Sequence, residues 1–241
     1  MTNSVTGVQR PRASDARDGR ALVIAVDGPS GSGKSSAARG TASALGLRYL
    51  DTGAMYRAVT WWMLEHDVDL ADAEAVAAHT LPLTIQISTD PAAPWVRVDG
   101  IDATGQIRSR RVSNVVSLVA AVPEVRANLI GRQQGIIAAA AQAGGIVAEG
   151  RDIGTVVAPG AVVKVFLTAS ERARAERRTA ELAEEAPSAV VTRAEQAQRD
   201  RRDAPQSQMA ADAVQIDATE LGLDDVIETI VGLVTAKRAG A

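Results

Sequence analysis

Apolar residues along this chain come in short blocks, and the blocks switch between two patterns. Ala21-Leu-Val-Ile-Ala-Val26 is an unbroken apolar run, as expected of a strand buried on both faces of a parallel sheet. A glycine-rich turn from Gly28 to Gly33 follows, and Lys34 to Leu45 then reads as a helix that stops at Gly46. Arg48-Tyr-Leu50 is a short second strand. From Gly53 to His66 a second helix carries Met55, Val59, Trp62 and Met63 on one face. Residues 83–100 change character: Leu83-Thr-Ile-Gln-Ile-Ser alternates, Asp90-Pro-Ala-Ala-Pro94 turns, and Trp95-Val-Arg-Val98 alternates again, which predicts a small antiparallel hairpin. Val122 to Ala143 returns to helical spacing and ends at Gly144-Gly145. Ile146-Val-Ala148 and Val162-Val-Lys-Val-Phe-Leu167 are further buried strands. Ser170 to Glu185 is a helix crowded with Arg172, Arg174, Arg177 and Arg178, and Thr192 to Arg202 continues in that style. Ala213-Val-Gln-Ile216 closes the sheet, and a last helix runs from about Leu223 to Lys237.

Strand and helix alternating over this length imply an α/β fold, a mostly parallel sheet covered on both faces. In such folds ligands bind at the carboxyl ends of the strands. Gly28–Ser35, Asp51–Arg57 and Glu149–Asp152 all fall at such ends. The expected organisation is a polar N-terminal tail over residues 1–20, one domain over 21–235 and a short tail over 236–241. Within the domain, 68–112 is an inserted antiparallel subdomain, and 170–205 is a stretch of charged helices.

Composition narrows the picture. The 241 residues are 46% apolar and 23% charged, ordinary for a globular protein, with no cysteine. Disulfides, thiolate zinc sites and a cysteine nucleophile are thereby excluded. A net charge of -3 and aromatics at 2% argue against nucleic-acid binding by bulk electrostatics or by base stacking. No stretch nears the eighteen or so apolar residues of a membrane span, and the first twenty residues lack the apolar core of a signal peptide. The expectation is a cytoplasmic protein, with monomer as the default. His66 and His79 have no partners at ligand spacing and read as surface or packing residues. Against twenty-three arginines stand three lysines, Lys34, Lys164 and Lys237, so the context that keeps Lys34 a lysine stands out.

That context is Gly28-Pro-Ser-Gly-Ser-Gly-Lys34-Ser35, which satisfies the pattern G-x-x-x-x-G-K-[ST]. The run Gly28, Pro29, Ser30, Gly31, Ser32, Gly33 lets successive backbone N–H groups face one anion, with the helix dipole behind them. Lys34 can reach the β- and γ-phosphates of ATP, Ser35 can place its hydroxyl on Mg²⁺, and Ser36 continues the first turn. Strand before and helix after make this a P-loop three-layer sandwich. The Asn-Lys-x-Asp run of a GTPase is absent, and the chain is short for a transporter ATPase, which leaves a small kinase or a nucleotide-binding switch. A kinase brings two anions together, and at about 4 Å with an effective dielectric of about 20 each pair of unit charges repels by roughly 4 kcal/mol. Cations must sit between them. Arg57, Arg126 and Arg151, each beside a predicted strand end or on a helix adjoining that edge, are suited to this because guanidinium grips phosphate bidentately.

Four runs together resemble one family: Gly28–Ser35, Leu50-Asp-Thr-Gly-Ala-Met-Tyr-Arg57, Val116-Ser-Leu-Val-Ala-Ala-Val-Pro-Glu-Val-Arg126 and Glu149-Gly-Arg-Asp-Ile-Gly-Thr155. They are similar to bacterial cytidylate (CMP) kinases, nucleoside monophosphate kinases of the P-loop class, over about residues 22–235. The resemblance implies transfer of the γ-phosphoryl group of MgATP to CMP or dCMP. It implies that Asp51, Tyr56, Arg57 and Arg151 line the monophosphate site, with the two arginines on its phosphate. Ser117, Arg126 and Asp152 would read the cytosine, and Arg199 and Asp203 would face sugar and phosphate. The charged stretch 170–205 would be a lid over ATP with its flanking helices, Arg174 and Arg178 belonging to it, and the 83–100 hairpin would belong to the acceptor side. Lys34, Arg57 and Arg151 are then the expected catalytic residues. One position departs from the family: three residues after Asp203, where an arginine is usual, this chain has Gln206. Two other readings stay open on sequence alone, a P-loop kinase for another small acceptor and a non-catalytic nucleotide sensor.

Overall fold

The computed structural model describes residues 21–181, 194, 197, 198 and 200–240, side chains excepted at 178–181. The expected N-terminal tail and most of the lid beyond residue 181 lie outside the described residues. The elements in chain order are β1 (Val23–Asp27), α1 (Lys34–Leu45), β2 (Arg48–Asp51), α2 (Thr52–Glu65), α3 (Ala73–Thr80), β3 (Ile85–Ile87), β4 (Val96–Val98), β5 (Ile101–Asp102), α4 (Arg110–Ala120), α5 (Pro123–Gln142), β6 (Ile146–Gly150), β7 (Val163–Thr168), α6 (Glu171–Glu181), β8 (Val214–Asp217) and α7 (Leu223–Ala239).

Five strands form one sheet in the order β2-β6-β1-β7-β8, and every pairing is parallel. Parallel strands need covering crossovers, so both faces are buried, and β1 shows how the sequence achieves this. Ala25 faces one core, with Met55, Val59 and Met63 of α2 and Leu129 of α5. Ile24 and Val26 face the other, with Ala37, Ala38 and Ala42 of α1 and Val226, Ile230 and Val234 of α7. Alternation along an apolar strand sends successive side chains to opposite faces, so an unbroken run feeds two cores. Gly40 lets α1 lie directly on α7: a Cβ there would stand 2.3 Å from Ile227 Cδ1.

The register brings the strand ends level. Asp27 pairs with Gly150, and Asp51 pairs with Glu149. The loops that leave β1, β2 and β6 therefore start from one edge, and β1 lies where crossovers depart to opposite sides, the usual crevice of such a sheet.

The 83–100 region differs from the expected two-stranded hairpin. It is a three-stranded antiparallel sheet, β3-β4-β5, pairing Ile85 with Val98 and Val98 with Ile101. The third strand is turned by Asp99 and Gly100, both at positive φ (49° and 82°), the two-residue Asp-Gly hairpin turn. Val96 and Val98 bury their side chains against the α2 core. Trp62 also departs from expectation. It is half-buried rather than in the core row of α2, and its ring stacks on His66 at 3.8 Å between centroids, with His79 at 5.8 Å. Both histidines are thus packing partners of one indole. The helix after Ser170 is described as Glu171–Glu181. Of the three lysines, Lys164 is buried and bonds Asp212 at 2.8 Å.

Asp27 ties β1 to the turn beyond β6. Its carboxylate accepts from the backbone N–H groups of Ile153 and Gly154, each at 2.8 Å, at the start of a π-helical turn over Ile153–Val157. Burial pushes its pKa up to about 6, opposed by those two N–H groups, with Asp152 raising it and Lys34 lowering it. The unfolded chain loses this proton near pH 4 and the folded protein keeps it to about pH 6. Stability therefore falls as pH rises through that window, by about 3 kcal/mol, and is flat above it. Asp27→Asn has no such proton. The urea-unfolding free energy of the variant minus that of the parent should rise by about that amount between pH 4 and pH 7. A difference that stays constant across the window would show that Asp27 does not titrate there.

Candidate active site

The loop between β1 and α1 is shaped by what it must pass under. Gly28 has φ 152°, and a Cβ on it would stand 2.1 Å from the carbonyl oxygen of Leu167 in β7, so no side chain fits. Gly31 and Gly33 also lie at positive φ (76° and 91°). Lys34 opens α1 and its Nζ donates to the carbonyl of Pro29 at 3.3 Å, so the ammonium lies back across the loop. The loop is braced from outside. Arg177 donates to the carbonyls of Ser32 (3.3 Å) and Ala218 (2.6 Å). Arg174, buried, donates to the carbonyl of Ser30 and pairs with Asp200, whose other oxygen accepts from the Ser30 N–H at 3.4 Å. Arg174 thus lies under the loop and not on the cleft wall, and Arg178's side chain and Arg199 lie outside the described residues.

Beside the loop the ends of β2 and β6 set down an acidic floor. Glu149 is buried, and Tyr49 donates its hydroxyl to Oε1 at 2.8 Å. Burial, and then Asp51, push the Glu149 pKa up, while Lys34, Ser35 and Tyr49 pull it back. Burial also raises the Tyr49 pKa, so the phenol stays a donor. Asp51 caps α2 by accepting from the Ala54 N–H at 2.8 Å, and its second oxygen accepts from Arg108 at 3.2 Å. Glu149 entered the sequence reading only as the first letter of a motif. The signal that singles it out is a carboxylate at the last turn of a strand adjoining β1.

The opposite wall is built from arginines held by oxygen. Arg151 donates Nη1 to the Gly28 carbonyl at 2.9 Å and Nε to Asp203 at 3.2 Å. Asp203 also accepts from the Ser117 hydroxyl at 3.0 Å. Arg57, on α2, donates to the Ile107 carbonyl at 3.1 Å and the Ser113 hydroxyl at 2.8 Å. Arg126, in the first turns of α5, gives one nitrogen to Asp152 and the other to Gln206 Oε1 at 2.9 Å. Burial raises the Tyr56 pKa to about 12, so beside Arg126 and Asp152 it is a neutral donor.

Loop, floor and wall enclose a single cleft of about 400 Å³. From the phosphate loop it is lined by Ser30, Gly31, Gly33, Lys34, Ser35 and Ser36. From the floor and the arginine wall come Asp51, Tyr56, Arg57, Ser117, Arg126 and Arg151 with Asp152 and Asp203. Gly28, Pro29 and Ser32 shape the loop from behind the lining. Arg108, Glu149 and Gln206 also line the cleft and were not read from the sequence as site residues. Chemically, the cleft brings together an anion-binding loop, a guanidinium–carboxylate pair and further arginines.

A family model for cytidylate kinase matches residues 24–236. Among the relatives, the cytidylate kinase of Streptomyces griseus subsp. griseus is 50% identical over 222 residues, covering 91% of this chain and 95% of that protein. That of Rhodococcus opacus is 48% identical over 226 residues, covering 91% and 96%, and that of Corynebacterium glutamicum 43% over 222 residues, covering 89% and 95%. With the P-loop and the arginine wall joined in one cleft, and with matches spanning nearly the whole chain, this protein belongs to the cytidylate kinase family.

Proposed function

We propose that the chain transfers the γ-phosphoryl group of ATP to CMP or dCMP, giving ADP and CDP or dCDP. The observation that carries the acceptor assignment is the Arg126–Asp152 pair, which lines the same cleft as Lys34. Cytosine offers its exocyclic amine as donor and N3 and O2 as acceptors. Asp152 accepts from the amine, and Arg126 donates to N3 and O2. Uracil presents O4 to the carboxylate, leaving buried polar groups unpaired.

Position and charge neutralisation carry this reaction. A phosphate oxygen of CMP, already ionised, attacks the γ-phosphorus in line; its bond to that phosphorus forms as the bond to the ADP oxygen breaks. No general base is needed. Arg57 and Arg151 hold the acceptor phosphate, Asp203 and Arg199 the sugar and phosphate, and Lys34 follows the charge of the transferring group. Ser30 to Ser36 cradle the donor phosphates through backbone N–H groups. Ser35 and the Glu149 side chain beside it, both oxygen donors, would hold Mg²⁺, which would supply positive charge to offset that of the donor phosphates.

The regions fit the same reading, with 68–112 covering the acceptor and 170–205 closing over ATP through Arg178, while Arg174 braces the phosphate loop from its place beneath it. Closure excludes water and limits wasteful hydrolysis. Among the described residues no helix is long and apolar enough to cross a membrane. We place the protein in the cytoplasm, where both substrates are, as a monomer that does not engage nucleic acid.

ADP production measured in parallel with CMP, dCMP, UMP, AMP and GMP tests the assignment. CMP and dCMP should lead, with kcat/KM above that for UMP by up to about 10⁴-fold. Equal rates on CMP and UMP would overturn the base-reading scheme. ATP binding without acceptor-dependent turnover would point instead to a nucleotide sensor. Lys34→Ala should lower kcat by about 100-fold or more with the circular-dichroism spectrum unchanged. Near-normal turnover in that variant removes the role given to Lys34.

A further inference from the structure

Gln206 stands where the sequence led us to expect a cation, and its side chain is committed at both ends. Oε1 accepts from Arg126 Nη1 at 2.9 Å, and Nε2 donates to the carbonyl of Ala120 at 3.4 Å. The amide orientation is set by its partners. Turned over, it would point N–H at an arginine that only donates and oxygen at a carbonyl that only accepts. Ala120 is the last residue of α4, the helix that carries Ser117, and a helix leaves its final carbonyls without intrahelical donors. Arg126 is the fourth residue of α5. One amide thus spans the gap between the helices that carry Ser117 and Arg126.

We propose that Gln206 is a specificity-positioning residue: it holds the Arg126 guanidinium, from the side opposite Asp152, in the orientation that presents its remaining N–H groups to the pyrimidine. This rests on the reading of Arg126 as a base reader. A guanidinium has a planar fork of five donors, and its use depends on which edges are already engaged. Asp152 engages Nη2 and Gln206 engages Nη1, so the plane of the fork is fixed by two partners rather than one. With Asp152 alone the fork can turn about that bond, and N3 and O2 of cytosine lose a preset pair of donors. A neutral amide does this without placing a second cation beside Arg126, which an arginine at 206 would do.

The test compares Gln206→Leu, which keeps bulk and removes both hydrogen bonds, with Gln206→Glu, which keeps the acceptor for Arg126. Arg126→Lys, which keeps the charge and loses the fork, serves as the reference. KM and kcat are measured for CMP and UMP at saturating ATP, and KM for ATP at saturating CMP. Gln206→Leu should raise KM for CMP and cut the CMP-over-UMP ratio of kcat/KM by about tenfold. KM for ATP should stay within about twofold. Gln206→Glu should recover the ratio to within about threefold of the parent, which a role in packing alone would not produce. In the Arg126→Lys background, Gln206→Leu should add little, since its effect runs through the fork. If Arg126→Lys collapses the ratio while Gln206→Leu leaves it intact, the positioning role is wrong and base reading by Arg126 stands. If Arg126→Lys itself leaves the ratio intact, the base-reading scheme falls and this inference with it.

Discussion

Two phosphate groups must come within bonding distance in one cleft, and their mutual repulsion is the constraint around which the rest of the molecule is arranged. Five arginines and a lysine line the cleft, and like charges gathered in one place need anchoring even before a nucleotide arrives. The anchors are visible. Arg151 leans on the Gly28 carbonyl and Asp203, Arg126 on Asp152 and Gln206, Arg57 on the Ile107 carbonyl and Ser113, and Lys34 on the Pro29 carbonyl. Backbone carbonyls and neutral side chains do much of this holding, so the cationic field survives. Preorganised charge of this kind needs little rearrangement at the moment of reaction.

The sheet supplies the rigidity that such an arrangement requires. Level strand ends deliver the phosphate loop, Asp51 and the Glu149–Asp152 run to the same edge, and Asp27 pins the last of these to β1 through two backbone N–H groups. Burying a carboxylate to make that connection is costly, as its raised pKa reports, and the two N–H donors offset part of the cost. Donor and acceptor loops are thereby referred to one strand, and neither depends on a flexible connection for its position.

Much of this was legible in the sequence, and the boundary follows a physical line. Features that depend on neighbours along the chain could be read: the apolar run of β1, the glycines of the phosphate loop, the helix that follows, the alternation of the inserted sheet. Even the third strand of that sheet had a local sign in Asp99-Gly100, which went unread because Ile101 and Asp102 make so short a strand. What could not be read were pairings across long separations. Asp27 with Gly154, Tyr49 with Glu149, Asp200 with the Ser30 N–H and Gln206 with Arg126 have no spacing that marks them. Of the cleft wall, Arg57, Arg126 and Arg151 could be picked out by charge and by their place beside strand ends, while Ser117, Asp152 and Asp203 came from whole runs resembling a family. The placement of Arg174 beneath the loop, rather than over the cleft, follows from a pairing with Asp200 that no local rule supplies.

The short stretch from Asp200 to Gln206 touches both halves of the cleft. Asp200 reaches the phosphate loop, Asp203 reaches Arg151 and Ser117, and Gln206 reaches Arg126. On the proposed assignment the two nucleotide sites share a piece of backbone. Whatever order the first nucleotide imposes on that stretch is order the second does not have to create, and thermodynamic reciprocity makes the benefit equal in either sequence of arrival. Synergy between substrates would then have a material basis seven residues long.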